Sequence, residues 1–270
     1  MAELLKLIKG RKSVRTFDGK PLSAEDRASL ERYIHSIRNP FDIPVRFVLL
    51  DAKEHGLSSP VLTGETLYVA GKVDSVPCAD AAFGYSFEKL VLYAWSLGIG
   101  TTWIGGTMKR ERFEQAAELS EGERMPCVSP LGYPAKNRSI RENLMRRGVG
   151  ADSRLNADQL FFGGAWEKAL PPEIQAANAD LIEMVRWAPS AVNKQPWRII
   201  LTEKGWHFYE KRDKGFISEK TGDLQKIDVG IALCHFVMGL EEKGIRPVIR
   251  AENPGIDVPD EVEYIATVNP

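Results

Sequence analysis

Residues 228–245, "DVGIALCHFVMGLEEKGI", match a second stretch of the chain, "AFGYSFEKLVLYAWSLGI" at residues 82–99. Both stretches are apolar on most faces, which is typical of a long helix buried at the centre of a protein. Glycine occupies the same place near the start and near the end of each (Gly84 with Gly230, Gly98 with Gly244). The pattern therefore predicts two long central helices with related sequences.

The segments that precede these helices also align. "PVRFVLL", which begins at Pro44, matches "PWRIILT", which begins at Pro196, and Arg46 falls on Arg198. The strands are offset by 152 residues and the helices by 146, so loops that differ by six residues reconcile the two. One hypothesis is two copies of one α+β unit that pack face to face through the long helices. The other is convergence, because buried helices and strands often share such patterns, and the sequence leaves both open.

Apolar periodicity and capping signals predict the other elements. Ser23, followed by Asp26 three residues later, is the expected N-cap of the first helix. Residues 136–158 are polar and irregular and are expected to form a surface linker or arm. The two halves are expected to span residues 1–160 and 161–270. The predicted helices are 23–37, 80–100, 109–120, 170–188 and 228–245, and the predicted strands are 44–51, 66–73, 125–134, a hairpin over 197–211 that turns at Lys204 and Gly205, 247–253 and 263–270.

The composition is that of an ordinary globular protein, with 43% apolar and 27% charged residues. The 36 basic and 37 acidic residues give a net charge of −1, which argues against nucleic-acid binding. The three cysteines are far apart and form no CxxC pair, which predicts no zinc knuckle and a reducing, cytoplasmic location. The N-terminal stretch is too charged for a signal peptide, and no run of about 18 apolar residues predicts a membrane span.

Basic side chains are concentrated in "GRKSVRTF", residues 10–17. Such a group of donors suits a phosphate, which Arg binds as a fork and Lys binds as a point charge. The alternative is a set of solvated charges. The candidate phosphate ligands are Arg11, Lys12, Ser13 and Arg15, with Lys136 and Arg138 as further candidates.

A glycine-rich stretch, "LGIGTTWIGG", occupies residues 97–106. It is not a dinucleotide fingerprint, because Trp103 stands where GxGxxG requires glycine, and it lacks the Lys-Ser/Thr of a P-loop. Glycines at the helix end are explained as a C-cap. Gly100, Gly105 and Gly106 allow the backbone to approach a flat ligand closely, and a cap explains Gly105 and Gly106 less well.

No catalytic side-chain arrangement is recognisable, since the sequence has no HExxH motif and its four histidines are scattered. An enzyme with this sequence therefore relies on a cofactor for its chemistry. "WAPSAVNKQPWRII", residues 187–200, lies between a predicted helix and a predicted strand. It contains more hydrogen-bonding side chains than a simple connection requires, which indicates a binding role.

Together, "RKSVRTF", "APSAVNKQPWRII", "LGIGTTWIGG" and "SPLGYP" resemble the hallmark stretches of the nitroreductase family, flavin enzymes that use FMN. The similarity is greatest to a branch in which one chain holds two related halves. The resemblance implies a nitroreductase-like α+β fold arranged as an intramolecular pseudo-dimer. In the family's usual homodimers, Arg-x-Ser-x-Arg and the glycine-rich turn come from one subunit, and Pro-Ser-x-x-Asn comes from the other.

The resemblance also implies roles for individual residues. The implied FMN contacts are Arg11, Lys12, Ser13 and Arg15 at the phosphate and the ring edge near N1 and O2, Pro189, Ser190 and Asn193 at the ribityl chain and ring, and Ile104, Gly105 and Gly106 along the isoalloxazine, with a backbone N–H near N5. The phosphate set occurs only in the first half, and the Pro-Ser-Asn set occurs only in the second. We therefore expect one FMN site per chain, a degenerate second site and a monomer.

The implied reaction is ping-pong transfer of hydride from NAD(P)H through FMN to a small acceptor such as a nitroaromatic compound or a quinone. One alternative is a flavin-binding scaffold or sensor of the same fold without turnover. Another is a specialised flavin oxidoreductase that fragments a ring, removes a halogen or oxidises an azoline. The expected partners are small molecules, with neither nucleic acid nor membrane involved.

Overall fold

The computed structural model describes residues 1–137, 139, 142, 148, 150 and 152–270, and the fold mixes helices with antiparallel sheets. The helices are α1 (Ala2–Gly10), α2 (Ala24–Ser36), α3 (Ala79–Ser96), α4 (Arg110–Ala116), α5 (Ala157–Leu160), α6 (Pro172–Ala177), α7 (Ala179–Arg186) and α8 (Leu224–Glu242). The strands are β1 (Val45–Asp51), β2 (Leu67–Asp74), β3 (Glu123–Arg124), β4 (Val128–Leu131), β5 (Phe161–Gly163), β6 (Trp197–Thr202), β7 (Gly205–Lys211), β8 (Ile217–Ser218), β9 (Gly222–Asp223), β10 (Val248–Arg250) and β11 (Val262–Asn269).

The strands form two main sheets, and each draws its strands from one part of the sequence. In the first sheet β2 pairs antiparallel with β1, β3 and β4. The second sheet has the order β10-β11-β7-β6-β5 and is antiparallel except for the β5–β6 pair. In both sheets a hairpin (β1–β2 or β6–β7) precedes a long helix, and a later strand then pairs antiparallel with the second hairpin strand.

Most predicted elements are confirmed to within a few residues. The Ser23 hydroxyl accepts a hydrogen bond from the Asp26 N–H at 3.0 Å, so Ser23 is the N-cap of α2 as expected. The single helix predicted at 170–188 is wrong, because Asn178 separates α6 from α7. The Asn178 side chain donates to the Ile174 carbonyl at 2.9 Å and competes with the helical backbone bonds at this point.

The N-terminal helix α1 was not predicted. It is short, and its stability depends on tertiary packing. Leu4 and Ile8 pack against Leu92 of α3 and Met184 of α7. This packing fixes the position of the basic segment that follows α1 relative to α3 and α7.

The long helices α3 and α8 pack directly on each other through glycine. A methyl group on Gly84 would overlap the backbone carbonyl of Ile227, and a methyl group on Gly230 would overlap the backbone carbonyl of Ala81. Ile227 lies three residues before Gly230, and Ala81 lies three residues before Gly84. The contact is therefore reciprocal, and side chains larger than hydrogen are excluded at both positions.

The two helices also end in the same way. Gly98 and Gly244 have φ of 76° and 77°, in the left-handed region that glycine adopts without strain. The next N–H, of Ile99 or Ile245, donates back into the last helical turn, at 2.9 Å to Ala94 and 3.0 Å to Leu240. The glycines aligned in the sequence thus have equivalent conformations.

Each long helix covers the sheet formed by its own neighbouring strands. Helix α3 contacts β1 and β2, and α8 contacts β6, β7 and β11. The largest cluster of buried apolar side chains extends across both helices and both sheets. In the part of the chain that the structure describes, no helix has the length and apolar character needed to cross a bilayer.

The reciprocal contact predicts a large difference between two glycines of α8. Gly230→Ala is expected to lower the free energy of unfolding by about 3 kcal/mol, the upper end of the usual cost of overpacking, because the overlap is with backbone that cannot move away. Gly239→Ala is the matched control, since its added methyl meets only side-chain atoms of Leu181 and Met184, which can rotate. We expect a change within about 1 kcal/mol for the control.

Urea unfolding of the two variants measures this difference. Equal stabilities for Gly230→Ala and Gly239→Ala would mean that α3 and α8 are not held together by backbone contact.

Candidate functional site

A cavity of about 580 Å³ lies where the end of α1, the start of α8 and the 187–193 connection meet. Its volume falls within the range of about 300–1,000 Å³ typical of small-molecule sites. It is lined by residues of the α1 end (Lys9, Gly10, Arg11, Lys12, Ser13, Arg15), of the segment after α3 (Thr102, Trp103, Gly105) and β4 (Cys127), of the arm (Asp152, Arg154), of the connection (Trp187, Pro189, Ser190, Ala191, Val192, Asn193) and of α8 (Leu224, Ile227, Asp228, Ile231).

Most residues expected at a flavin site come together in this cavity, although they are far apart in the sequence. The expected residues that line it are Arg11, Lys12, Ser13, Arg15, Gly105, Pro189, Ser190 and Asn193. The structure places three other expected residues outside the lining of this cavity: Ile104, Gly106 and Lys136. Arg138 lies outside the described residues.

The segment after α1 runs beside the segment after α3 as extended chain. Ser13 and Thr101 form a parallel bridge, and the Val14 N–H donates to the Thr101 carbonyl at 2.8 Å. A methyl group on Gly100 would come within 2.8 Å of the Val14 side chain. The close approach that Gly100 permits is therefore to the protein's own chain.

The turn at residues 104–106 divides its backbone groups between the core and the cavity. The Ile104 N–H donates to the Val128 carbonyl at 2.9 Å, so it is used by the protein itself. Within the described residues, the Gly105 N–H has no hydrogen-bond partner, while the Gly105 carbonyl accepts from Arg110 at 2.6 Å. Of the three residues expected along a flavin ring, Gly105 therefore has the geometry to donate to a ligand.

The connection after α7 has an unusual backbone. Val192, Asn193 and Gln195 have φ of 44°, 59° and 53°, in the left-handed region. For a β-branched residue such as Val192, whose side chain is 60% exposed, this conformation is a strained outlier. Such strain concentrates at binding sites, where surrounding contacts maintain it.

Polar side chains of the connection supply those contacts. The Ser190 hydroxyl accepts from the Gln195 N–H at 2.9 Å, which closes the turn. The Gln195 carbonyl oxygen Oε1 accepts from the Leu155 N–H at 2.9 Å, and the Asn193 amide donates to the Gly150 carbonyl at 2.8 Å. The hydrogen-bonding residues of this stretch thus join the connection to the arm that lines the cavity.

Charged residues that the sequence analysis missed complete the lining. The Arg154 guanidinium lies over the Trp187 ring at 4.7 Å, and Lys9 lies over the same ring at 5.8 Å while pairing with Glu183. Both cations add to the positive charge of residues 11–15. The cavity lining therefore has five basic side chains and two carboxylic acids, a composition that attracts a phosphate dianion.

Asp228 of α8 is the buried acid of the cavity, with only 4% of its surface exposed. Its carboxyl accepts from the Ala191 N–H at 3.0 Å, which ties α8 to the connection. Burial raises the pKa of Asp228 well above its usual value, and the nearby acids Asp223 and Glu210 raise it further. The Asp228 pKa shift favours a neutral carboxylic acid inside the cavity.

Trp103 supplies a second unused donor. Its ring packs on Phe87 at 4.6 Å, and its buried indole N–H has no partner within the described residues. A buried donor without a partner is costly unless a ligand or water accepts from it. The Trp103 N–H is sealed from solvent, so a ligand in the cavity would reach it only if the side chain moved.

The raised pKa of Asp228 predicts a pH-dependent effect of Asp228→Asn, which keeps an acceptor for the Ala191 N–H. The stabilising contribution of the neutral acid is complete below the pKa of an unfolded Asp, about 4, and is lost as the pH rises through the folded pKa. The stability of Asp228→Asn relative to the unmutated protein should therefore rise by up to about 1.4 kcal/mol per pH unit above pH 5. Urea unfolding at several pH values between 5 and 8 measures this, and a pH-independent difference would contradict it.

Known proteins share this fold over nearly the whole chain. The family described as "Putative TM nitroreductase" matches residues 3–240. A protein of Archaeoglobus fulgidus described as "Putative NADH dehydrogenase/NAD(P)H nitroreductase" is 28% identical over 178 residues, which are 59% of this chain and 97% of that protein. A crystal structure described as a "putative nitroreductase" from Thermotoga maritima covers 99% of this chain and 94% of its own at 22% identity, with a TM-score of 0.62. The protein therefore belongs to the nitroreductase family and has the nitroreductase fold.

Proposed function

We propose that the protein is an FMN-dependent oxidoreductase that passes hydride from NAD(P)H through the flavin to a small acceptor such as a nitroaromatic compound or a quinone. Family membership supports the reaction class, and the name of the archaeal relative supports a nicotinamide donor. The observation that carries the proposal is the cavity, which joins the basic segment 11–15 to the connection 187–193 across one end of α8.

The residues present fit FMN. Basic side chains at one end of the cavity suit its phosphate. Leu224, Ile227 and Ile231 of α8 offer an apolar wall for the isoalloxazine. The N–H of Gly105 is a candidate donor for its heteroatoms.

The protein's contribution to the reaction is binding, orientation and electrostatics, while bound FMN supplies the hydride chemistry. Arg11, Lys12, Ser13 and Arg15 would hold the phosphate. The positive charge of Arg15 would stabilise negative charge that builds up on the reduced ring. The raised pKa of Asp228, caused mainly by burial, would favour the neutral carboxyl and so limit negative charge in the site. The apolar wall would exclude water from one side of the ring.

We also propose that residues 1–160 and 161–270 are two related halves that pack as an internal pseudo-dimer. The reciprocal contacts of Gly84 and Gly230 support this arrangement, as do the matching caps and the shared order of strands and helix. One chain then contains both walls of the cavity, so a monomer suffices. The three free cysteine thiols are consistent with work in the cytoplasm.

The test compares FMN binding and reduction in a double variant and a charge-matched control. Arg11→Gln/Arg15→Gln removes two phosphate ligands, each worth about 1.5–3 kcal/mol, and should weaken FMN binding more than about 100-fold. Arg27→Gln/Arg32→Gln on α2 removes the same charge away from the cavity and should leave binding unchanged.

Absorbance spectra with added FMN, followed by anaerobic addition of NADH or NADPH, give both readings. Bleaching of bound flavin by the nucleotide supports the oxidoreductase. Bound flavin that neither nucleotide bleaches would favour the scaffold or sensor, and equal FMN affinity in both double variants would exclude this cavity as the site.

A further inference from the structure

A second cavity, of about 640 Å³, lies on another face of the helix pair. It is lined by residues 38–40 before β1, by Tyr85 and Lys89 of α3, by Val237 and Glu241 of α8, and by residues between 244 and 249. The proposed flavin chemistry does not involve this cavity.

The second cavity occupies positions that the proposed internal repeat relates to those of the first cavity. Residues 38–40 precede β1 as residues 190–192 precede β6, at the strand offset of 152. At the helix offset of 146, Tyr85 corresponds to Ile231, and Ile249 corresponds to Trp103. Three separate segments thus line both cavities at matching positions, so the second is the counterpart of the first.

The polar residues of the counterpart differ from those of the first cavity. No second Arg-x-Ser-x-Arg occurs in the sequence, so the basic segment that follows α1 has no copy. Ala82 stands at the position that corresponds to Asp228, and Arg246 stands at the position that corresponds to Gly100. The counterpart has therefore lost the phosphate ligands of the first cavity and gained a cation at a different place.

Three cations and one carboxylate surround the second cavity. Lys89 lies over the Tyr85 ring at 5.6 Å. Arg38 donates through Nη1 to the carbonyls of His35 and Ile37, which fixes its guanidinium at the end of α2. Arg246 has no hydrogen-bond or ion-pair partner within the described residues. The excess of positive charge therefore includes the guanidinium of Arg246, which forms no hydrogen bond or ion pair within the described residues.

The rest of the lining is mainly apolar. Its apolar residues are Pro40, Val237, Ile245, Pro247 and Ile249, with the Tyr85 ring on α3, and Asn39 and Gly244 complete it. An apolar surface rimmed by a few convergent polar groups is the usual form of a small-molecule site. A ligand that matches it has an apolar body and one anionic group.

We propose that this second cavity binds a small organic anion, with its apolar body against Val237, Ile245 and Ile249 and its carboxylate or phosphate at Arg38, Lys89 and Arg246. It is a binding site distinct from the flavin cavity, and the linings of the two cavities share no residue. The basic segment at residues 11–15 has no copy at this cavity. The ligand therefore carries a smaller polar group than the ribityl phosphate of FMN.

Isothermal titration calorimetry of the protein at saturating FMN tests this proposal with three probes: benzoate, phenyl phosphate and the neutral benzyl alcohol. At least one anion should bind about 10-fold or more tightly than benzyl alcohol, because the alcohol lacks the charge-assisted contacts. The tighter anion identifies the head group as carboxylate or phosphate. Absence of binding by both anions overturns the proposal.

Two double variants locate the binding. Lys89→Gln/Arg246→Gln should weaken the anion at least about 10-fold, whereas Lys243→Gln/Arg250→Gln, with the same charge loss at neighbouring positions outside the cavity, should not. Equal affinity in the two overturns the proposal. Flavin absorbance should stay constant during the titration, and a change that follows anion binding would place the anion at the flavin instead. The same titration on protein without FMN separates this result from any failure of flavin binding.

Discussion

The reciprocal backbone contact between Gly84 and Gly230 is the constraint on which the rest of the structure depends. It brings α3 and α8 close enough for the carbonyl of Ile227 to lie on Gly84, while the side chain of Ile227 lines the main cavity. Because the helices cannot separate without losing this contact, the start of α8 is held beside the basic segment that follows α1. The candidate site is thus a consequence of packing, since this contact, the packing of α1 and the Ser13–Thr101 bridge together bring its segments into proximity.

The backbone conformation of the connection before β6 also depends on contacts with other segments. Its left-handed backbone at Val192 and Asn193 is unfavourable in isolation. It is held in place because the Asp228 carboxyl accepts from the Ala191 N–H and a carbonyl of the arm, that of Gly150, accepts from the Asn193 amide. Asp228 is itself buried by the packing of α8, so the shape of the connection and the protonation of the acid are linked.

Much of this could be predicted from the sequence, because the signals are local. Helix periodicity, the glycine caps and the Ser23 N-cap each depend on residues close in the chain. The two motifs that meet in the cavity were recognisable because each has a distinctive composition. The roles of Trp103, Arg154 and Asp228 could not be predicted, because they depend on which distant segment each side chain meets. The same is true of the Ile104 N–H, which the pairing with Val128 occupies.

The central claim is that one chain builds one complete flavin site from both halves. The most direct test is the stoichiometry of FMN, measured by titrating the apoprotein while sedimentation reports its mass. The account predicts one FMN bound per chain by a monomer, because Arg-x-Ser-x-Arg occurs once in the sequence. Two FMN molecules per chain, or binding that requires a dimer, would contradict it.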